Sequence, residues 1–159
     1  MLIKEYQSRD RCQPQRSLNQ LMAIYEANYR RLKHLIPALT QIADRAISTS
    51  SDDLDLHLQI EDRSTYTTIL TLTYLFDDGS VADPAARIRI YHDARVAEVE
   101  ACRFRQPLPF TRIARPGVKL PVLEWKWEIN VFLEKWLLYC IEQGHLFDLE
   151  SVIGQPAAG

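Results

Sequence analysis

The chain has 159 residues, 47% of them hydrophobic and 25% charged, with a formal net charge of −2 at neutral pH. These proportions fit one globular domain with a real core and exclude wholesale disorder. No apolar run approaches the roughly 18–20 residues of a membrane span, so no membrane partner is expected.

Residues 1–16 are polar, with Pro14 near their end, and read as an irregular arm. The opening Met1-Leu2-Ile3-Lys4-Glu5 lacks the apolar centre of a signal peptide. Cys12, Cys102 and Cys140 are an odd number without CxxC spacing. Reduced thiols in a cytoplasmic protein are the expectation.

Ser17 is placed to cap a helix. Leu18, Leu21, Met22, Tyr25, Tyr29, Leu32, Leu35 and Ile36 recur at threes and fours, one face of that helix. Pro37 should end or kink it. Leu39, Ile42, Ala43, Ala46 and Ile47 continue the spacing and predict a shorter helical segment, followed by a loop over Ser48–Asp53.

From Leu54 to Phe104 the period changes to two. Leu54, Leu56, Leu58 and Ile60 alternate with polar residues, and Tyr66–Phe76 is rich in strand formers. Asp77-Asp78-Gly79-Ser80 marks a turn. Pro84 argues against a central strand at its own position, so the third strand is expected from about Ala86. Ile88 and Ile90 point inward there, and Arg87, Arg89 and Tyr91 outward. Val96 keeps the parity of Ile88, whereas Val99 and Ala101 reverse it. A bulge or bend between Asp93 and Glu98 accounts for the reversal. A two-residue hairpin is disfavoured, because no Gly or Asn offers a primed turn.

Pro107, Pro109, Pro116, Gly117 and Pro121 exclude a helix interior over 106–121. That stretch reads as an extended basic surface segment carrying Arg112, Arg115 and Lys119. Val122–Gln143 is apolar nearly all round, holds all three tryptophans and predicts a core helix opened by Pro121 and closed by Gly144. Residues from Gln155 form a small tail expected to fray. The fold expected is therefore a single α+β domain, an antiparallel sheet of three to four strands with N-terminal and C-terminal helices packed on one face.

Three stretches resemble a known family. They are Glu26-Ala27-Asn28-Tyr29-x-Arg31-Leu32 with Leu35-Ile36-Pro37, then Arg89–Val99, then Asn130-x-Phe132-Leu133-x-Lys135-Trp136-Leu137 with Cys140 and Gly144-His145. Together they are similar to the signatures of the YqiB-like proteobacterial family of unknown function, over roughly residues 15–146. The resemblance implies a small cytoplasmic bacterial protein and carries no assigned activity or site residues.

The candidate chemistry is sparse. Glycine-rich phosphate loops are absent, and His34, His57, His92 and His145 have no metal-ligand spacing; no cofactor or metal is expected. Tyr91-His92-Asp93 at the expected bend is the most suggestive triplet. Neighbouring strand residues point to opposite faces, so His92 and Asp93 pair only if the bend turns one of them. A Cys–His nucleophile drawn from Cys102 or Cys140 lacks any local signature.

The net charge conceals blocks: residues 1–48 hold 8 basic and 4 acidic side chains, 49–84 hold 1 and 8, 85–121 hold 8 and 3, and 122–159 hold 2 and 6. Such blocks either neutralise one another in the fold or form a basic patch for an anionic partner. Candidate binding residues are Arg87, Arg89, Tyr91, Arg95, Arg112, Arg115 and Lys119, with Asn28 and Arg31 on the first helix. Nucleic acid is an unlikely partner, because no RNP-like aromatic motif accompanies the arginines. The expectation is a binding or regulatory module for a protein partner or a small anionic ligand. The competing expectation is an enzyme of phosphorylated metabolites acting at His92 and Asp93.

Overall fold

The computed structural model describes residues 17–76, 79–105 and 120–149. Helix α1 (Leu18–Leu35) is followed by five strands, β1 (Arg45–Ser50), β2 (Asp53–Arg63), β3 (Thr67–Phe76), β4 (Val81–Tyr91) and β5 (Val96–Arg103), and then by helix α2 (Val122–Glu142). The strands pair antiparallel in chain order, β1-β2-β3-β4-β5. The architecture is α+β, with one five-stranded sheet in place of the three to four strands expected.

Both helix ends obey their signals. Ser17 forms a capping box with Gln20, and Pro37 follows the α1 C-cap Ile36. Gly144, at φ +91, closes α2 through two backbone bonds, His145 N–H to Cys140 C=O and Gly144 N–H to Ile141 C=O. That pair of bonds needs a left-handed residue, which is why glycine stands there.

One face of the sheet is the core face. Leu56, Leu58, Ile60, Leu70, Leu72, Ala86, Ile88, Ile90, Ala97 and Val99 are buried there beneath Leu32, Leu35, Ile129, Phe132, Leu133, Trp136 and Leu137 of the helices. Helix α2 is less enclosed than its composition predicts. Leu123, Leu138 and Tyr139 are exposed, and Trp125 and Trp127 are half-buried.

Three expectations about elements are corrected. The helical segment over Leu39–Ile47 is a turn followed by β1. Leu39, Ile42 and Ala46 are buried as that spacing requires, but Arg63 of β2 donates to the carbonyls of Thr40 and Ile42 and holds the turn. Ser48–Ser50 belong to β1 and Asp53 opens β2, so the loop shrinks to Ser51-Asp52. Pro84 lies inside β4, a central strand, at a register shift between Thr73 and Leu75, where a missing N–H is tolerated.

The bend expected between Asp93 and Glu98 is a hairpin. Tyr91 pairs with Val96 across the four-residue turn His92–Arg95, and Arg95 takes φ +54. No two-residue turn forms, in line with the absence of Gly and Asn, but the longer turn closes a hairpin rather than a bend and places an arginine in the left-handed region. Bulges occur elsewhere. Glu61 is skipped between Ile60 and Asp62 in the pairing with β3, and Glu100 between Val99 and Ala101 in the pairing with β4.

Candidate functional site

The sheet face away from the helices carries Arg87 and Arg89, as alternation predicted, and both are neutralised there. Arg87 donates to Glu61 Oε2 at 2.5 Å and to Glu100 Oε2 at 2.6 Å, and Arg89 Nε donates to Glu100 Oε1 at 2.8 Å. The two acids are the two bulge residues, so each irregularity turns a carboxylate onto the arginine ladder. The contact with Arg87 holds the Glu61 carboxyl below its usual range. Tyr91 donates to Glu98 at 3.0 Å and packs beside Leu21, Tyr25, Val96 and Trp127. These three side chains are already engaged.

Asn28 is fully buried. Its Nδ2 lies 3.4 Å from Asn130 Oδ1, and the same Asn130 oxygen accepts the Val99 N–H at 2.8 Å. Asn28 thus joins α1 to α2, and Asn130 joins α2 to the outer edge of β5. Arg31 pairs with Glu134 of α2 at 3.5 Å. Arg112, Arg115 and Lys119 lie outside the described residues.

His92 and Asp93 do not meet. His92 is half-buried with Nε2 at 2.7 Å from Thr68 Oγ1, whereas Asp93 is exposed and accepts the neighbouring Ala94 N–H. Burial, then the positive charge of Lys33, lowers the His92 pKa from its ordinary value. The imidazole is therefore held neutral at pH 7.

Arg95 has a different setting. It faces a depression of about 630 Å³ between α1 and the β4–β5 hairpin, shared with Glu26, Tyr29, Arg30, Lys33 and Ala94. Arg30 and Arg95 are exposed, and among the described residues neither has an ion-pair partner. Lys33 Nζ reaches only the Pro37 carbonyl, at 3.4 Å. Three cations against the one carboxylate of Glu26 give this depression a positive field that focuses anions. Arg30 also borders a smaller hollow of about 370 Å³ with Arg31 and His34, which continues the basic surface along α1.

One polar cluster escapes sequence reasoning altogether. His145 Nδ1 lies 2.9 Å from Ser48 Oγ, and its Nε2 lies 2.9 Å from Asp53 Oδ2. Asp53 also accepts from Tyr74 (2.8 Å) and Tyr139 (3.3 Å), and Ser48 Oγ accepts the Leu146 N–H at 3.0 Å. The Asp53 carboxylate can only accept, so Nε2 donates to it, and Nδ1 of the neutral ring accepts the Ser48 hydroxyl proton. The groups stand in the order of a hydrolase triad, but the His145 side chain is 0% exposed and Ser48 is 3% exposed, so no substrate reaches the hydroxyl. Every proton has an acceptor. The cluster fastens the end of α2 to the β1–β2 hairpin.

Among the described residues, two further kinds of candidate chemistry can be weighed. Burial pushes the thiols of Cys102 and Cys140 up to about 12, away from the thiolate a nucleophile needs. Among the described residues no three His, Cys, Asp or Glu side chains converge on a metal position, and no helix is long and apolar enough to cross a membrane.

Residues 31–146 match the family described as "Protein of unknown function (DUF1249)". The chain is also similar to a protein called "Uncharacterized protein YqiB" in Escherichia coli K12, at 32% identity over 127 residues, which cover 79% of this chain and 89% of that one. The proteins of the same name in Escherichia coli O157:H7 and O6:H1 match to the same extent. No solved structure matches. The chain belongs to this YqiB-like family of proteins of unknown function.

Proposed function

We propose that the chain is a non-enzymatic binding module that takes a small anionic ligand, a phosphate or carboxylate, in the depression between α1 and the β4–β5 hairpin. The observation that carries this reading is the convergence of Arg30, Lys33 and Arg95 on one hollow with Glu26 as the only acid. Arg30 and Lys33 come from an amphipathic helix whose other face is locked into the core. Arg95 comes from a turn in which its backbone sits at φ +54. A non-glycine residue in that region costs about 1–2 kcal/mol, a cost glycine would avoid. The reading accounts for the arginine by its side chain. The two guanidinium groups and the ammonium supply charge-assisted hydrogen bonds, and the Tyr29 hydroxyl adds a neutral donor. A cytoplasmic setting belongs to the same reading and is supported by the free thiols of Cys102 and Cys140. An enzyme acting through His92 and Asp93 has less support, because the two side chains are separately occupied.

Thermal melts with inorganic pyrophosphate test the reading. Pyrophosphate is expected to raise the melting temperature of the native chain. Arg30→Glu should abolish that gain with little change in the ligand-free melt, as exposed substitutions usually do. Arg95→Gly should raise the ligand-free melt by relieving the left-handed backbone and still weaken the pyrophosphate response. An undiminished response in both variants would remove this hollow from the account.

A further inference from the structure

The open face of the sheet is hollow. Register across the strands aligns Ile47, His57, Thr73, Ala85 and Arg103 in one row, and Arg45, Gln59, Thr71 and Arg87 in the next. The centre of this face carries small side chains, Thr71 and Thr73 on β3 and Ala82 and Ala85 on β4, and the outer strands carry large ones. Small side chains in the centre and larger ones at the sides leave a trough of about 510 Å³. Its floor is deep enough that Thr73 is 8% exposed and Ala85 5%, although neither faces the helices.

The walls differ from the floor in chemistry. Arg45 on β1 and Arg103 on β5 stand on opposite sides, and neither has an ion-pair partner among the described residues. The acid in the trough, Glu61, is already held by Arg87 and Thr71. His57 adds no positive charge at neutral pH, because burial lowers its pKa. Ile47, Leu75, Ala82 and Ala85 give the lining an apolar part, beside the polar His57, Gln59, Thr71 and Thr73. A volume in the range of small-molecule sites, a floor of small side chains with aliphatic Ile47, Leu75, Ala82 and Ala85 in its lining, and cations on opposite walls describe a site for one kind of molecule.

We infer that this trough is a second binding site, for an elongated organic dianion with an apolar body and an acidic group at each end. Arg45 and Arg103 bind the two ends, and the apolar body lies over Thr73 and Ala85. Inorganic phosphate lacks the body and has no reason to prefer this face. The site is separate from the hollow at Arg95 and stands or falls without it.

The experiment is an amide-resolved NMR titration of the full chain with azelate, a nine-carbon dicarboxylate, beside nonanoate and inorganic phosphate. Azelate is expected to shift the amides of Thr73, Ala85 and their cross-strand neighbours, nonanoate to do so more weakly, and phosphate to leave them in place. The double change Arg45→Ala and Arg103→Ala, at exposed positions that keep the fold, should weaken azelate at least tenfold. Ala85→Leu, checked by its melt, should block the trough sterically while both arginines remain. Azelate that leaves Thr73 and Ala85 unshifted overturns the proposal, whether the face is bare or covered by another part of the chain. Azelate bound with equal affinity by the double variant overturns it as well.

Discussion

Two half-buried histidines set a pH dependence that the charge total hides. His92 is pulled below its ordinary pKa by burial and by Lys33, and His57 by burial against a weaker opposing effect of Asp55. A group whose folded pKa is depressed binds its proton more readily in the unfolded chain. Its contribution to stability is complete above the ordinary histidine value near 6.5 and is lost as the pH falls through the lower folded value. The melting temperature should therefore fall between pH 7 and pH 5. The double change His57→Gln and His92→Asn should flatten part of that fall, and a variant that loses stability as steeply as the native chain contradicts the assignment. The same scale shows what single residues conceal. Ser48 and Asp53 lie in one short stretch that reads as loop, and His145 is 97 and 92 residues away from them. Nothing in spacing announces that β1 and β2 bring them around one imidazole. The only signal was His145 beside Gly144, at the end of α2.

At the scale of elements, β5 is an edge strand, and edges invite unwanted pairing. Its outer side is covered by α2, with Asn130 Oδ1 on the Val99 N–H and Asn130 Nδ2 on the Lys126 carbonyl at 2.7 Å. Asn130→Ala leaves the Val99 N–H without its acceptor and the Asn28 amide with only the Asn130 backbone carbonyl at 3.5 Å. That loss should cost about 1–3 kcal/mol and lower the melt by several degrees. A melt unchanged by Asn130→Ala would mean that the edge is satisfied some other way. The alternation of β2, β3 and β4 was legible because their core-facing positions are consistently apolar. Strand β1 was not, since Arg45-Ala46-Ile47-Ser48-Thr49-Ser50 is short, lies at the other edge and buries only Ala46 and Ser48. With so little to alternate, the buried Leu39, Ile42 and Ala46 mimicked a helix. The hairpin at Asp93 was illegible for a different reason. It carries an arginine where turn chemistry favours glycine, and a local rule broken in this way often marks a functional position.

For the whole molecule, the charge blocks find two fates. Of the basic block over 85–121, Arg87 and Arg89 meet acids on the open face, where Glu61 and Glu100 engage them. The basic block of the first helix does not, and Arg30 and Lys33 remain turned toward Arg95. Among the described residues put forward from sequence as binding candidates, Arg95 is the one that the fold carries into an unneutralised hollow; its companions Arg30 and Lys33 were not among those candidates, because helix faces are read first for their apolar stripe. The most direct test of the account is an amide-resolved NMR titration of the full chain with inorganic pyrophosphate. The account predicts saturable shifts concentrated at Tyr29, Arg30, Lys33, Ala94 and Arg95, weakened by added salt as surface charge is screened. Shifts that avoid these residues, or a spectrum that pyrophosphate leaves unchanged, would contradict it.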